Sequence, residues 1–273
     1  MPEPIVKIRG LSKVYIRDFI GTEHGRLKIT LKNRKVPALQ SLSLDVNEGE
    51  IFGLLGPNGA GKTTAIKILM GLIFPTAGNA WLMGKPLGDK SVKARMGFLP
   101  ENPYFYDYLK GYEFLDYYCQ LYGIGRSDRR RRIREMMDLV GLSHAMDLPL
   151  KGYSKGMLQR IGLAQAIINN PRIVFLDEPQ SGLDPLGRKE VRDLILTLKE
   201  KGATVFFSSH ILSDAEMICD RVAIMARGHL LEVGAMEQIL SARVKAFEIE
   251  VQDIPADMAA AFEKQAERTI VRQ

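Results

Sequence analysis

Two short stretches of this sequence carry side chains that together could bind a phosphate chain and cleave it. The first has the spacing G-x-x-x-x-G-K-[ST] of a phosphate-binding loop. Its glycines let backbone N–H groups approach oxyanions, Lys62 supplies a charge for the β- and γ-phosphates, and Thr63 offers a hydroxyl to Mg²⁺. A glycine-rich turn without a ligand is the alternative, which the lysine and the hydroxyl argue against. The loop residues are Gly56, Pro57, Asn58, Gly59, Ala60, Gly61, Lys62, Thr63 and Thr64.

The second stretch reads I-V-F-L-D-E-P from residue 173 to residue 179, an apolar run that ends in two carboxylates. Asp177 is placed to hold Mg²⁺, directly or through water. Glu178 can polarise an attacking water as a general base. An acidic turn at the end of a strand is the alternative, and the phosphate loop upstream makes the chemical interpretation the better one.

The elements that must position these residues follow from the periodicity of apolar residues. A strand at 51–55 and a helix at 65–71 flank the phosphate loop. Further strands are predicted at 172–176, 204–208 and 221–226, with helices at 186–200 and 211–219 between them. This alternation predicts an α/β fold with a mostly parallel core sheet.

Two further regions differ from the α/β core in the periodicity of their apolar residues. Helical periods at 112–122, 127–140 and 155–169 predict an inserted helical subdomain at about 102–170, in which Ser154 is the N-cap of the last helix. The start of the chain alternates in the manner of strands, which predicts an N-terminal antiparallel β part. There 27–31 and 38–46 would be the arms of a hairpin with its turn at 32–35.

Composition limits the class of protein. The chain has 273 residues, of which 46% are hydrophobic and 26% charged, so a packed globular core is expected. The N-terminus has no apolar run of the signal-peptide kind, and residues 68–74 are too few to span a membrane. The cysteines, Cys119 and Cys219, lack metal-binding spacing and are expected to be buried thiols in a reducing cytosol. The net charge is +6, and six basic residues face two acidic ones within 16–36.

Three additional motifs complete the pattern. Y-S-K-G-M opens the helix at 155, S-G-L-D follows the two carboxylates, and His210 ends the run V-F-F-S-S-H. With these motifs in this order, the chain resembles the nucleotide-binding subunit of an ATP-binding cassette (ABC) transporter over residues 4–234. It is most similar to ATPase subunits of bacterial exporters whose membrane domain is a separate chain. The fold implied is that of a P-loop NTPase of the ABC ATPase type.

The resemblance assigns roles and ligands. It implies ATP and Mg²⁺, with Tyr15 stacking on adenine, Asp177 and Glu178 as the Walker B acid and catalytic glutamate, and His210 as the switch that senses the γ-phosphate. The D-loop, residues 181–184 and ending in Asp184, would reach across to a partner subunit. Tyr15 has an alternative as a packed surface aromatic, because an insertion follows it.

Two positions depart from the family pattern. The family signature is usually L-S-G-G-Q; here Ser154 and Gly156, which face the γ-phosphate, are kept, while Lys155 replaces a glycine and Met157 a glutamine. Lys155 could add positive charge there or point to solvent. Glu101 stands where the family has a glutamine that contacts Mg²⁺. A carboxylate can still ligate Mg²⁺, although it adds negative charge near the phosphates.

The resemblance also implies partners. Two copies, or a pair of cassettes, would trap two ATP molecules, and a separate transmembrane permease would hold the pair on the inner face of the cell membrane. Tyr104, Phe105, Tyr106 and Tyr108 are candidate permease contacts, because nine of the chain's aromatic residues lie within 104–122; packing inside the helical subdomain is the alternative. The six arginines within 126–134 favour a solvated helix, with lipid headgroups or nucleic acid as the other interpretation. The basic insertion 16–36 could contact anionic lipid, the permease or solvent alone.

Three functions are weighed. The first is an ATPase subunit that drives transport, with export as the implied direction. The second is a soluble cassette ATPase acting on nucleic acid or ribosomes; since no zinc motif or second cassette is found, nucleic acid is not expected as a partner. The third is a regulatory nucleotide-binding module with little turnover. The expected domains are an ABC ATPase domain at 1–240 and a small appendage at 244–273.

Overall fold

The computed structural model of the chain describes residues 3–23 and 26–241. The chain divides into two compact units, Met1–Met236 and Glu237–Gln273. The strand predicted at 246–252 and the helix predicted at 255–268 lie outside the described residues. The domain boundaries at 240 and 244 therefore stay a prediction.

A six-stranded sheet forms the centre of the first unit. Its spatial order is β10 (His229–Ala235), β9 (Arg221–Ala226), β3 (Ile51–Leu55), β8 (Thr204–Ser209), β7 (Ile173–Leu176) and β6 (Met96–Leu99). Neighbours from β9 to β6 pair in parallel, and β10 is antiparallel to β9. Every residue of β3, β7 and β8 is buried, as expected for parallel strands covered on both faces. The mostly parallel core sheet is confirmed.

A second, antiparallel sheet has the order β2 (Arg26–Val46), β1 (Val6–Glu23), β4 (Ala77–Leu82) and β5 (Lys85–Pro86). The antiparallel N-terminal part is confirmed, but the turn predicted at 32–35 is wrong. β2 runs through these positions, with Lys35 paired to Ile16, and the pairing continues to Glu23 and Arg26. The reason is chemical: K-N-R-K has no glycine or proline to reverse the chain. The described residues of the basic segment, 16–23 and 26–36, thus belong to the paired strands β1 and β2.

The helices of the chain, with two short 3-10 turns at Ser143–Ala145 and Leu150–Gly152, fill the remaining sequence. They are α1 (Lys62–Leu69), α2 (Lys90–Lys93), α3 (Gly111–Leu121), α4 (Arg126–Leu139), α5 (Lys155–Ile167), α6 (Pro185–Glu200), α7 (Leu212–Glu216) and α8 (Met236–Ser241). The helices predicted at 112–122, 127–140, 155–169 and 186–200 are confirmed, each boundary within two residues. The short α2, β5 and β10 were not predicted, because two to seven residues give little periodic signal.

Both cysteines have thiols of low reactivity. Cys119 on α3 is fully buried, and burial raises the pKa of its thiol to about 11. Cys219 is partly buried, and desolvation together with Asp220 raises its pKa as well. A high pKa leaves little thiolate at neutral pH. Among the described residues, no helix combines the length and apolar character that crossing a membrane requires.

Candidate active site

The phosphate loop leaves the carboxyl end of β3 and enters α1. Gly61 has φ of 104°, and a Cβ there would overlap the carbonyl oxygen of Ala38, so only glycine fits. Gly59 has φ of 79°, and a Cβ there would meet no atom within 4 Å. The loop is therefore tight against the protein at Gly61 and open at Gly59, where another molecule can approach the backbone.

Unused hydrogen-bond donors face the same opening. The amide groups of Gly61, Lys62 and Thr63 donate to no acceptor within residues 3–23 and 26–241. They belong to the first turn of α1, where amides have no partner inside the helix. The positive end of the helix dipole adds to their attraction for an anion. A phosphate is thus the ligand that this end of α1 is built to accept.

Lys62 lies inside the loop rather than in solvent. Its Nζ donates to the carbonyl oxygens of Gly56 at 2.8 Å and Pro57 at 3.3 Å. The same atom lies 3.0 Å from Glu178 Oε1, and the two side chains are only 5% and 8% exposed. No described residue donates a hydrogen bond to this Oε1, so the contact is an ion pair without hydrogen-bond geometry. The charge of Lys62 is thus neutralised by Glu178.

The register of the parallel strands brings the carboxylates to the loop. Leu176 pairs with Phe207 and Leu55 with Ser209. Asp177 therefore lies beside Ser208, and Gly56 beside His210. Parallel strands place their carboxyl ends on one edge of the sheet, which is the usual place for ligands in such folds.

Asp177 is the best-connected carboxylate of the site. Its Oδ1 accepts hydrogen bonds from Thr63 Oγ1 at 3.0 Å and Ser208 Oγ at 2.7 Å. Ser208 Oγ in turn accepts from the backbone N–H of Glu178 at 2.9 Å. Ser208 was not among the site residues predicted from the sequence. Its signal was available, since it stands two residues before His210 on a strand that ends beside the carboxylates.

Glu178 is held from both sides. Its Oε2 lies 2.8 Å from His210 Nδ1, opposite the contact with Lys62. Its backbone has φ of 49°, a left-handed conformation that costs a residue other than glycine about 1–2 kcal/mol. The structure therefore brings together Lys62, Asp177, Glu178 and His210, four of the predicted site residues.

The signature and D-loop residues begin two helices. Ser154 is the N-cap of α5, with its Oγ accepting from Met157 N at 3.3 Å, as predicted. Asp184 is the N-cap of α6, with its Oδ1 accepting from Gly187 N at 2.8 Å. Gly156 lies in the first turn of α5. Both caps are ordinary helix starts, and the nucleotide roles of these residues stay predictions.

Tyr15 and Glu101 have no described contact with the other predicted site residues. Only the strand or loop that carries each of them indicates its position. Tyr15 is an exposed residue on β1, and its ring centroid is 5.3 Å from Lys13 Nζ. Glu101 is exposed on the loop after β6. That strand is adjacent to the carboxylates, since Leu99 O accepts from Asp177 N at 2.9 Å. Contact of either residue with nucleotide or Mg²⁺ stays a prediction.

The donor atoms fit a magnesium ion that arrives with a nucleotide. The Thr63 hydroxyl and the Asp177 carboxylate are adjacent, which is the oxygen pair that Mg²⁺ uses in P-loop proteins. Across the described part of the chain, no three histidine, cysteine, aspartate or glutamate side chains lie where they could hold a metal ion by themselves. An ion that keeps water and phosphate oxygens as ligands is consistent with this set.

Burial of Asp177 predicts a pH dependence of stability. Desolvation raises the pKa of Asp177 from its ordinary 3.8, the charge of Glu178 raises it further, and the bonds from Ser208 and Thr63 oppose the rise. In that case the folded state binds a proton more tightly than the unfolded state. The contribution of Asp177 to stability should therefore fall as pH rises above 3.8 through the folded pKa.

Asp177→Asn removes this ionisation. We expect the variant to gain stability relative to the natural chain as pH rises, because an amide avoids the cost of burying a charge. Urea unfolding between about pH 4 and pH 8, without nucleotide and Mg²⁺, measures the difference, with the exposed Asp193→Asn as control. A difference that is constant with pH, or that reverses, would contradict the shift assigned to Asp177.

A phosphate loop after one parallel strand and a carboxylate pair after another define a P-loop nucleoside triphosphatase. The chain matches the ABC transporter family over residues 39–181. It belongs to that family, as one of its ATP-binding proteins.

Relatives and solved structures agree with this assignment. An ABC transporter ATP-binding protein of Synechocystis sp. is 60% identical over 210 residues, which are 76% of this chain and 59% of that protein. The chain thus spans less than two thirds of that relative's length. The bacitracin transport ATP-binding protein BcrA of Bacillus licheniformis is 39% identical over 219 residues, 79% of this chain and 71% of that protein. A structure described as the ATP binding subunit of an ABC transporter has a TM-score of 0.71 at 28% identity, covering 87% of this chain and 92% of that one.

Proposed function

We propose that the chain hydrolyses Mg·ATP as one of a pair of cassettes and drives transport, in the outward direction, through a separate permease. The observation that carries the proposal is the row Lys62–Glu178–His210, in which Lys62 and Glu178 are buried and His210 reaches the surface. It lies at the edge of the sheet where Thr63 and Asp177 meet. A base, an electrophilic ammonium and a metal-binding pair are the parts that phosphoryl transfer to water requires.

The reaction starts from the ion pair of Lys62 and Glu178. The β- and γ-phosphates of ATP accept hydrogen bonds from the free amides of α1. They also compete with Glu178 for the Lys62 ammonium, and this competition releases Glu178 Oε1. Glu178 then accepts a proton from the attacking water, while His210 holds the other carboxylate oxygen. Mg²⁺ bound with ATP, held by Thr63 and Asp177, would neutralise the charge that develops on the phosphates.

Pairing of two chains is supported by the exposed start of α5. Ser154 is exposed, and the first backbone amides of α5 have no acceptor within the helix, which suits an anion. No described contact joins Ser154 to the chain's own phosphate loop. We therefore assign this helix end to the ATP held by a second chain, so that two ATP molecules lie between two copies.

The permease contact is assigned to a groove between α3 and the loop before it. The groove has a volume of about 570 Å³. Its aromatic wall is built by Tyr106, which contacts Tyr117 edge to face with ring centroids 5.8 Å apart. The residues that line it are Tyr106, Tyr108, Leu109, Tyr112, Glu113, Asp116, Tyr117 and Gln120.

The neighbouring aromatics divide between surface and core. Tyr104 is 86% exposed, whereas Phe105 packs inward on Phe114 with ring centroids 5.5 Å apart. Exposed tyrosines next to a groove suit a protein partner. A cytoplasmic segment of the permease is the proposed occupant, which would place the chain at the inner face of the membrane. The basic hairpin segment 16–36 is proposed to contact anionic lipid there, on the support of its charge alone.

Purification of the full chain together with the permease tests this function. We expect the chain to co-purify from solubilised membranes and to hydrolyse ATP. Tyr106→Ala should reduce recovery of the permease while leaving nucleotide binding intact. Phe74→Ala is the matched control, because Phe74 is 86% exposed and does not line the groove. Retention on nucleic acid at physiological salt instead of on a permease would overturn the proposal.

A further inference from the structure

The lysine of the signature rests on the D-loop of its own chain. Lys155 is the first residue of α5, and its Nζ occupies the place that a Cβ at Gly182 would take. Its Cε lies 3.0 Å and its Cδ 3.8 Å from the same point. Gly182 has φ of 67°, so a side chain there would be strained. The end of the exposed Lys155 side chain thus lies against the backbone of Gly182.

A second contact from the same helix lies one turn further on. Gln159 is buried, and its Nε2 donates to the carbonyl oxygen of Pro179 at 2.7 Å. Residues four apart on a helix share one face. That face of α5 therefore contacts the loop from Glu178 to Asp184 at two places, near its start and near its middle.

The loop connects these contacts to the catalytic glutamate. Ser181 N donates to Glu178 O at 3.0 Å, which closes a tight turn directly on Glu178. At the other end Asp184 caps α6 and is occupied by the N–H of Gly187. A displacement of α5 along its axis thus acts on Pro179 and Gly182, and through the turn on the backbone of Glu178.

The Lys155 contact is steric rather than ionic. Within the described ranges, no carboxylate lies at ion-pair distance from its ammonium, and Asp184 already accepts a hydrogen bond elsewhere. A positive charge at the start of a helix is also disfavoured by the helix dipole. The fit of the side chain over Gly182, rather than a favourable charge, therefore explains its position.

We propose that Lys155 is a positioning residue that links the two ATP sites of a pair. It passes movement of the signature end of α5, which faces the partner's ATP, to the D-loop and to Glu178 of its own chain. This inference rests on the proposed pairing of two chains. It goes further, because it names Lys155 as the side chain through which ATP bound at one site positions Glu178, the base of the other site.

Mixed pairs of full-length chains with two affinity tags test the link. One chain in each pair carries Glu178→Gln, so that a single site turns over. In the cis pair, Lys155→Ala is on the chain whose Glu178 is intact; in the trans pair, it is on the chain with Glu178→Gln. We expect kcat to fall roughly 3- to 30-fold in the cis pair. KM should stay within about twofold, and the trans pair should equal the pair without the Lys155 change.

Control variants separate position from folding and charge. Lys155→Met keeps most of the length over Gly182 and should retain the kcat of the natural residue in the cis pair. Lys201→Ala, an exposed lysine at the far end of α6, should have no effect in either pair. Unfolding temperatures of the single chains should agree, because a loss of stability would also lower kcat.

Two results would overturn the inference while leaving the proposed function intact. A loss confined to the trans pair would show that Lys155 acts on the partner's nucleotide directly. Cis and trans pairs that both match the Lys201→Ala control would show that the contact with Gly182 has no role in turnover. If the natural chains form no pair with ATP, the proposed function fails and the link fails with it.

Discussion

Glu178→Gln should bind ATP and form pairs, and should hydrolyse ATP about 10²- to 10⁴-fold more slowly than the natural chain. The substitution keeps the size of the side chain but removes its ability to accept a proton from water. Only the chemical step is lost, because the amides of α1 and Lys62 are unchanged. Single-turnover hydrolysis measures the rate, and gel filtration with ATP measures pairing.

The same variant should bind ATP at least as tightly as the natural chain. Lys62 Nζ lies 3.0 Å from Glu178 Oε1, so the carboxylate competes with phosphates for the ammonium. A neutral amide competes less for the ammonium. Glu200→Gln, an exposed position at the end of α6, is the control and should change neither rate nor affinity. Rapid hydrolysis by Glu178→Gln would refute the assignment of Glu178 as the base.

Lys62→Met should weaken ATP binding by about 10- to 100-fold, the effect expected for loss of a hydrogen-bonded charge on the phosphates. The methionine keeps the length of the side chain without its ammonium. Titration with a fluorescent ATP analogue measures the loss. Lys93→Met, at an exposed lysine of α2, should bind as the natural chain does. Unchanged affinity in Lys62→Met would place the nucleotide elsewhere.

Lys62→Met should also destabilise the protein without nucleotide. Breaking a buried ion pair from one side costs about 3–5 kcal/mol in general, and here His210 still contacts Glu178, so a smaller loss is expected. The double variant Lys62→Met, Glu178→Gln should recover part of it, because no buried carboxylate is then left without its ammonium. Urea unfolding of the natural chain, the two single variants and the double variant provides a double-mutant cycle. If the changes in the free energy of unfolding were additive, the ion pair would contribute nothing to the stability of the folded chain.

The sequence was most informative where function depends on consecutive residues. The loop 56–64 and the pair Asp177–Glu178 each follow a strand directly, so their local geometry is set by their own residue types. The helices of the 102–170 region were predicted equally well, since helical periodicity is also local. Contacts between distant segments were not predictable in the same way. Ser208 joins Asp177 only because β8 lies beside β7 in one particular register.

Two further features of the structure were not predicted, for the same reason: they depend on contacts between distant segments. The ion pair of Lys62 with Glu178 joins residues that are distant in sequence, and neither motif states that the two side chains are in contact. The turn was expected at 32–35, between the alternating segments 27–31 and 38–46, whereas β2 continues with Arg34 and Lys35 paired to β1 and with an irregularity in the register between Arg17 and Phe19. The local sequence K-N-R-K, which lacks glycine and proline, also offers nothing that would reverse the chain there.

The chemistry of the two cysteines makes this chain convenient for measuring how two subunits approach each other. Maleimide dyes react with thiolates, and the burial of Cys119 and Cys219 keeps both thiols protonated at neutral pH. A single cysteine introduced on an exposed site, such as Ser213 on α7, would then carry the fluorophore alone. Energy transfer between labelled copies would then measure the proposed pairing over ATP, without first replacing Cys119 and Cys219.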